Sequence, residues 1–492
     1  MHIFKKKLAL ILFSVFICVI TYGFALNHFA LTIDNEQNFL NSGVSSDLGR
    51  WGNNLIRCRI FGAIIPYYTL LISLLFLSQS AVNMTSLFKI KGMSAFVFCG
   101  LFLTFPQMAY QLIFTMQSDS VCIGFWLSTI AIEFFILAFT LENKVKSILL
   151  YLLSSLFLMF IISIYQALIF IPITIFVIVF FQNTFTEEFD YKIEFKKTLF
   201  FIAVLISSVF FYFISVKILC PDGASTGFMS NYSSGSSNNR FVDFYNLLVD
   251  NYRGDLFYGQ KTFVLVGIIT LFFIVYSFIK KKHIVWRLTS LFFILITPFI
   301  ISLFITSGGN PPRLYVATGF VFAFLIVKLF EVLKFEKIKI YFSFLICLIN
   351  IYFITLLFQS SYKVFNHDLK ISEKIYSLIV NKYPEYNENL HYVYFFGKLP
   401  DDNYNKFRLH NSEIFGGSFF QWDGGSNNRI INFNKFNNIA NYKEIDNKES
   451  YLKIKDSIVK MSKWPNYESV KLFDDVIVVK LGNEKGAKLA VE

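Results

Sequence analysis

The chain has 492 residues, 55% hydrophobic and 16% charged, with a mean hydropathy of +0.54 and a formal net charge of +12. An ordinary soluble domain carries about 25% charged residues, so this composition excludes a water-soluble fold throughout and demands a bilayer. The positive balance does not indicate nucleic acid as a partner, because the lysines cluster in short loops between apolar runs, where they orient a membrane protein.

The chain opens with Lys5-Lys6-Lys7 ahead of an apolar stretch from Leu8 to Phe24. This imitates a signal peptide, but no small-x-small cleavage site precedes Asn27, so the stretch reads as a retained first helix. Runs of about 20 apolar residues cross the hydrocarbon as helices, since a helix satisfies its own backbone polar groups there. Such runs extend over residues 8 to 26, 58 to 80, 94 to 114, 121 to 141, 198 to 219, 261 to 280, 287 to 306, 314 to 333 and 339 to 358. The run from Ser147 to Phe181 is too long for one ordinary span, and Tyr165-Gln166 interrupts it near the middle.

Charge resolves that run. With two short spans there, Lys89/Lys91, Lys144/Lys146, Lys192/Lys196/Lys197, Lys280/Lys281/Lys282 and Lys334/Lys337/Lys339 all fall on the side of the N-terminal lysines, as the positive-inside rule requires. The expectation is eleven spans, with the N-terminus cytoplasmic and the C-terminal tail outside. After about Ser360, Asn, Asp, Lys and Tyr replace Leu and Ile. Strand-like pieces at Leu390 to Phe396 and Val476 to Leu481, set among turns such as Phe415-Gly416-Gly417-Ser418, predict a small mixed α/β domain over residues 361–492, following a membrane domain over 1–360. The six cysteines lie in or beside apolar runs without a CxxC and read as small core residues.

On the outer side, arginine carries most of the positive charge of the loops and their margins: Arg50, Arg57, Arg59, Arg240, Arg253 and Arg313. Guanidinium suits phosphate recognition, although each arginine can equally pair with a nearby carboxylate. Asp34 and Glu36 stand close after the first span, with Arg50 and Trp51 further along. Together they supply a carboxylate base and a phosphate anchor, or simply a solvated surface. Asp119 follows Gln107 and Gln111, whose i, i+4 spacing points a polar stripe toward the turn at Gln117 to Ser120, for substrate contact or for inter-helix hydrogen bonds. Glu133, in mid-span, needs a partner, a cavity or a proton, and a structural or lipid-cavity role suits it better than chemistry. Gly308-Gly309-Asn310-Pro311-Pro312-Arg313 is a rigid turn ending in a cation, suited to holding a phosphate. No His-rich or carboxylate-rich metal spacing appears, so no metal or other cofactor is expected, with a divalent ion left open.

Ile33-Asp34-Asn35-Glu36, Gly49-Arg50-Trp51, Tyr165-Gln166, Pro312-Arg313 and the tail's Gln421-Trp422-Asp423 with Arg429 together resemble the serotype-converting O-antigen glucosyltransferases of phage and prophage origin. These form the Gtr group of GT-C membrane glycosyltransferases. The resemblance runs in order through nearly the whole chain, although each motif is short. It implies transfer of a sugar, usually glucose, from a polyprenyl phosphate to the O-antigen of lipopolysaccharide at the periplasmic face of the inner membrane, with inversion. It also implies neighbouring enzymes that make and flip the donor. In that chemistry a sugar hydroxyl needs one carboxylate to accept its proton, and arginine can meet the charge on the leaving phosphate. Asp34 or Glu36 is then the catalytic base, and Arg50 and Arg313 hold the donor phosphate. Trp51, Asp119, Tyr165, Gln166 and Trp422 become candidate substrate-binding residues, Trp422 competing with a role in its domain's core. The rival readings are a flippase or transporter of a lipid-linked sugar, against which the absence of an internal repeat counts, and a membrane O-antigen polymerase.

Overall fold

A computed structural model describes residues 2–36, 48–62, 64–220, 240–304, 311–445 and 448–483. Gly308-Gly309-Asn310 lies outside the described residues, as do residues 37–47 and 221–239. The chain divides into two units: Met1–Asn27 with Gly43–Thr355, and His28–Ser42 with Leu356–Glu492.

The first unit is helical. Among the described residues of the whole chain, eight helices are long and apolar enough to cross a bilayer: Pro66–Leu87, Ser118–Thr140, Lys144–Ile164, Gln166–Asn183, Tyr191–Leu219, Gln260–Lys280, Ile284–Leu303 and Glu336–Lys382. A ninth follows if the bent pair Met93–Leu103 and Pro106–Leu112 counts as one span. The ambiguous 35-residue run does divide, because Tyr165 is extended (φ −158°, ψ 120°) and ends one helix before the next begins.

Several boundaries differ from those expected, and proline explains two of them. The second span starts at Pro66, not near residue 58, since Ile65 is extended and proline occupies the first helical turn. The residues before it form a short α-turn, Trp51–Asn54, continuing as a π-helix over Leu55–Ile60. The third span bends by 45° just before Pro106. Two of the eleven expected spans are short. Lys7–Thr21 is an apolar helix of fewer than 18 residues. Thr318–Leu333 has 16 residues, about 24 Å against a hydrocarbon core of about 30 Å. It is buried continuously from Thr318 to Lys328, as befits a helix that is apolar all round.

Gln107 and Gln111 do share a direction, but they reach a different turn from the one expected. Their amides donate to the carbonyls of Pro312 (3.1 Å) and Arg313, so they brace that turn from inside the unit. Glu133 lies on the exposed face of its helix. Cys18, Cys99, Cys122 and Cys220 are buried as expected, Cys347 is partly buried, and Cys58, on the π-helix, is exposed.

The second unit is a small α/β domain around a four-stranded sheet in the order β2-β1-β4-β3, with β1 Tyr392–Phe396, β2 Lys443–Glu444, β3 Val470–Phe473 and β4 Val476–Lys480. Strand β1 runs parallel to β2 and β4, and β3 closes an antiparallel hairpin with β4 through Asp474 at φ 51°. Alternation along β1 and β4 sends Val393, Phe395, Ile477 and Val479 to one face and Tyr394, Val476 and Val478 to the other. Ile371, Ile375 and Ile379, at helical spacing on Glu336–Lys382, cover the first face together with Ile430 and Ile431. Ile454 and Ile458 cover the second. A sheet buried on both faces explains why its strands read as continuous apolar runs.

Candidate functional site

In the second unit, Leu31 and Ile33 are buried against Phe419 and Phe433, with Phe29 and Trp422 packed beside them. This apolar anchor fixes the turn that follows. The Asn35 amide N–H donates to the Thr32 carbonyl at 3.1 Å, and Asp34 takes φ 75°, a left-handed conformation that Asp tolerates better than most residues. Beneath it, Asp368 accepts hydrogen bonds from the Tyr404 hydroxyl (2.7 Å), the Ser418 hydroxyl (2.9 Å) and the Phe419 amide (2.9 Å). That network holds the Gly417 backbone so close to Ile33 and Trp422 that a Cβ there would meet each at 3.2 Å.

The turn delivers two carboxylates to one guanidinium. Arg429, in the opening turn of the helix Asn427–Phe436, donates from Nη2 to Asp34 Oδ1 at 2.9 Å, from Nη1 to Glu36 Oε1, and from Nε to Asp423 Oδ2 at 2.7 Å. A cation at a helix N-terminus is opposed by the helix dipole, so the three carboxylates offset an unfavourable position as well as pairing a charge. Asp423 is held at φ 53°, so two of the three carboxylates come from left-handed residues. Such strain concentrates at functional sites.

The three carboxylates are not equivalent. Asp34 and Asp423 are 39% and 50% exposed, whereas Glu36 is 0% exposed. Among the described residues, Glu36 Oε2 is buried without a hydrogen-bond partner. Burial pushes the Glu36 carboxyl above its ordinary value of 4.5, with the pull of Arg429 opposing it. Burial also acts to lower Arg429, but Glu36, Asp34 and Asp423 outweigh it and keep the guanidinium firmly protonated. With all three acids ionised the cluster carries two negative charges in excess, so a proton-accepting oxygen is available without loss of the ion pairs.

The first unit holds the other candidate residues. Arg50 Nε donates to Gln166 Oε1 at 3.2 Å, and the guanidinium lies over the Tyr165 ring, 4.7 Å from its centroid. Gln166 in turn donates to the Leu48 carbonyl (2.8 Å) and the Tyr212 hydroxyl (3.1 Å), and the Trp51 indole donates to the Ser215 hydroxyl (2.9 Å). Trp51, Tyr165 and Gln166 therefore fasten the Leu48–Trp51 segment to the ends of neighbouring helices and orient Arg50. Gly52 fits tightly there, since a Cβ would come 3.1 Å from the Ser163 backbone carbon and closer still to its hydroxyl. Asp119 is buried in an ion pair with Arg57, on the π-helix, and accepts the Ser120 amide at 2.8 Å. Arg313 lies over the Phe114 ring at 4.8 Å, on the turn braced by Gln107 and Gln111. Trp422 packs into its unit's apolar cluster.

Sequence spacing placed Asp34 and Glu36 together. It did not show that Arg429 and Asp423 complete their cluster, because the partners lie 395 and 393 residues from Arg429. The only signal was the short tail motif that contains Asp423 and precedes Arg429. Among the described residues, no group of three or more His, Cys, Asp or Glu side chains is arranged to hold a metal ion.

Comparison with known proteins supplies the class. The family model described as glucosyl transferase GtrII matches residues 23–330, more than half of the chain, taking in Asp34, Glu36, Arg50, Asp119, Gln166 and Arg313. Neither the curated proteins nor the solved structures give a match. A multi-helix membrane chain carrying a carboxylate cluster and oriented arginines fits such a transferase, and the chain belongs to the glucosyl transferase GtrII family.

Proposed function

We propose that the protein transfers a glucosyl residue from a polyprenyl-phosphate-linked donor to the O-antigen of lipopolysaccharide, at the periplasmic face of the inner membrane and with inversion. The observation that carries the reading is the unpartnered oxygen of Glu36, buried within a cluster whose charge is already in excess. Glu36 is the base. As the acceptor hydroxyl oxygen forms its bond to the anomeric carbon, its proton passes to Glu36. The bond from that carbon to the phosphate oxygen breaks, and the electron pair leaves with the polyprenyl phosphate. A raised carboxyl is better matched to this task at neutral pH than an ordinary one. Arg429 keeps Glu36 in place, Asp34 shares the load, and Asp423 completes the clamp.

The departing phosphate needs no general acid if cations meet its charge. Arg50 and Arg313 take that part, each steadied on an aromatic ring, while Trp51, Tyr165, Gln166 and the Arg57–Asp119 pair set the backbone around them. Eleven spans, with Lys7–Thr21 and Thr318–Leu333 as the short ones, put every lysine cluster on the cytoplasmic side. The second unit then faces the periplasm, where the acceptor is.

Purified protein in proteoliposomes, given radiolabelled polyprenyl-phosphate glucose and O-antigen without an ion gradient, tests the assignment. Label appearing in O-antigen with inverted anomeric configuration is the expected result. Movement of intact labelled lipid between leaflets without transfer would replace the enzyme by a transporter. Transfer only from a lipid diphosphate oligosaccharide would replace it by a polymerase.

A further inference from the structure

One end of the first unit's helices holds charges that the proposed transfer does not use. Arg287, in the opening turn of Ile284–Ile296, and Lys328, on Thr318–Leu333, are only 4% and 7% exposed. Both lie over the same ring, Phe185: the Arg287 Cζ is 4.4 Å and the Lys328 Nζ 4.2 Å from its centroid. Tyr276 flanks the guanidinium at 5.6 Å. Arg287 Nη2 donates to the Thr184 carbonyl at 3.0 Å, but among the described residues its Nε and Nη1 are buried with no hydrogen-bond partner. Among the described residues neither cation forms an ion pair within 4.0 Å, Glu331 one turn beyond Lys328 included.

Two buried cations sharing a ring, one with open N–H groups, are costly unless an anion joins them. The site also adjoins a helix N-terminus, whose dipole disfavours an arginine and favours an anion. The chain reaches it through Lys280-Lys281-Lys282 and leaves it toward Lys334, Lys337 and Lys339, so the surroundings add positive charge. Clusters of basic side chains between membrane helices take lipid phosphates. We propose that Arg287 and Lys328 form a binding site for a phosphate group, separate from the transfer chemistry, supplied by an anionic phospholipid headgroup or by free phosphate.

Full-length protein in a zwitterionic detergent would be titrated with phosphatidylglycerol, phosphatidylcholine or inorganic phosphate, reading the thermal midpoint and, by native mass spectrometry, retained lipid. The expected result is a raised midpoint and retained lipid with phosphatidylglycerol alone, which identifies the headgroup as the source. A rise with inorganic phosphate as well supports the same site filled by free phosphate. Arg287→Gln should weaken the effect by about tenfold or more, as loss of a charge-assisted contact does, and Lys328→Met less. Lys144→Gln with Lys146→Gln, at exposed lysines elsewhere, should leave it intact. If Arg287→Gln does not fold, Lys328→Met alone decides. No anion effect on the wild type, or equal effects in wild type and variants, overturns the site.

Discussion

Two arginines in this protein are held by carboxylates in different ways. Arg57 pairs with Asp119, both almost fully buried, and the pair acts as a strut between the π-helix and the start of Ser118–Thr140. Arg429 meets three, of which two are substantially exposed and the third has an oxygen to spare. Asp119 is buried and committed to its ion pair, whereas an acidic excess around one cation leaves a base that does not have to break its anchoring ion pair to act. The contrast separates a carboxylate that holds the fold from one that can accept a proton, although both stand beside apolar runs in sequence that reads alike.

Removing each arginine is the harshest way to break the comparison. Arg57→Met leaves Asp119 charged and buried and should cost about 3–5 kcal/mol of stability, as loss of one partner of a buried pair does, seen as a lower thermal midpoint in detergent. The double substitution Arg57→Met with Asp119→Leu should recover much of that loss. Arg429→Met should cost transfer and also destabilise the second unit, since Glu36 would be buried without a cation. Here Glu36→Gln should restore the midpoint without restoring transfer, which sharpens the distinction between holding and reacting.

A smaller effect is expected at Gly52. A methyl group there must push into Ser163, and overpacking of this kind costs about 1–3 kcal/mol; Gly52→Ala should lower the midpoint, while Gly23→Ala, with no neighbour within 4 Å of its added Cβ, should not. The pH profile follows from Glu36. A base must be ionised, and this carboxyl is raised, so kcat/KM should fall on acidification with a midpoint above the 4.5 of an ordinary glutamate. The least effect belongs to Asp423→Asn. Half exposed, it should change stability by about 1 kcal/mol or less, with activity reduced only as far as Arg429 loosens.

What could be read from residues alone follows the range of the forces involved. Hydropathy over 20 residues marks the spans, and the break at Tyr165 and the strands β1 and β4 appear for the same local reason. Proline shifted what hydropathy does not weigh: Pro66 moved the start of a helix and Pro106 bent one. The Asp34–Glu36 pair was visible as neighbours in sequence, but its arginine stands in the tail, and no spacing links residue 36 to residue 429. Likewise, Asp119 read as a loop acid open to substrate, and only the fold shows the Arg57 guanidinium filling that place. Gln107 and Gln111 were recognised as a polar stripe, yet what they brace lies about 200 residues away.

The central claim is that Glu36 takes the acceptor's proton. Single-turnover transfer from labelled polyprenyl-phosphate glucose by purified Glu36→Gln protein tests it most directly, with the thermal midpoint recorded on the same sample. Loss of about 10²–10⁴-fold in rate, as expected when a general base is removed, with the midpoint held or raised, is the predicted outcome. A rate near that of the wild type in a folded sample would contradict it.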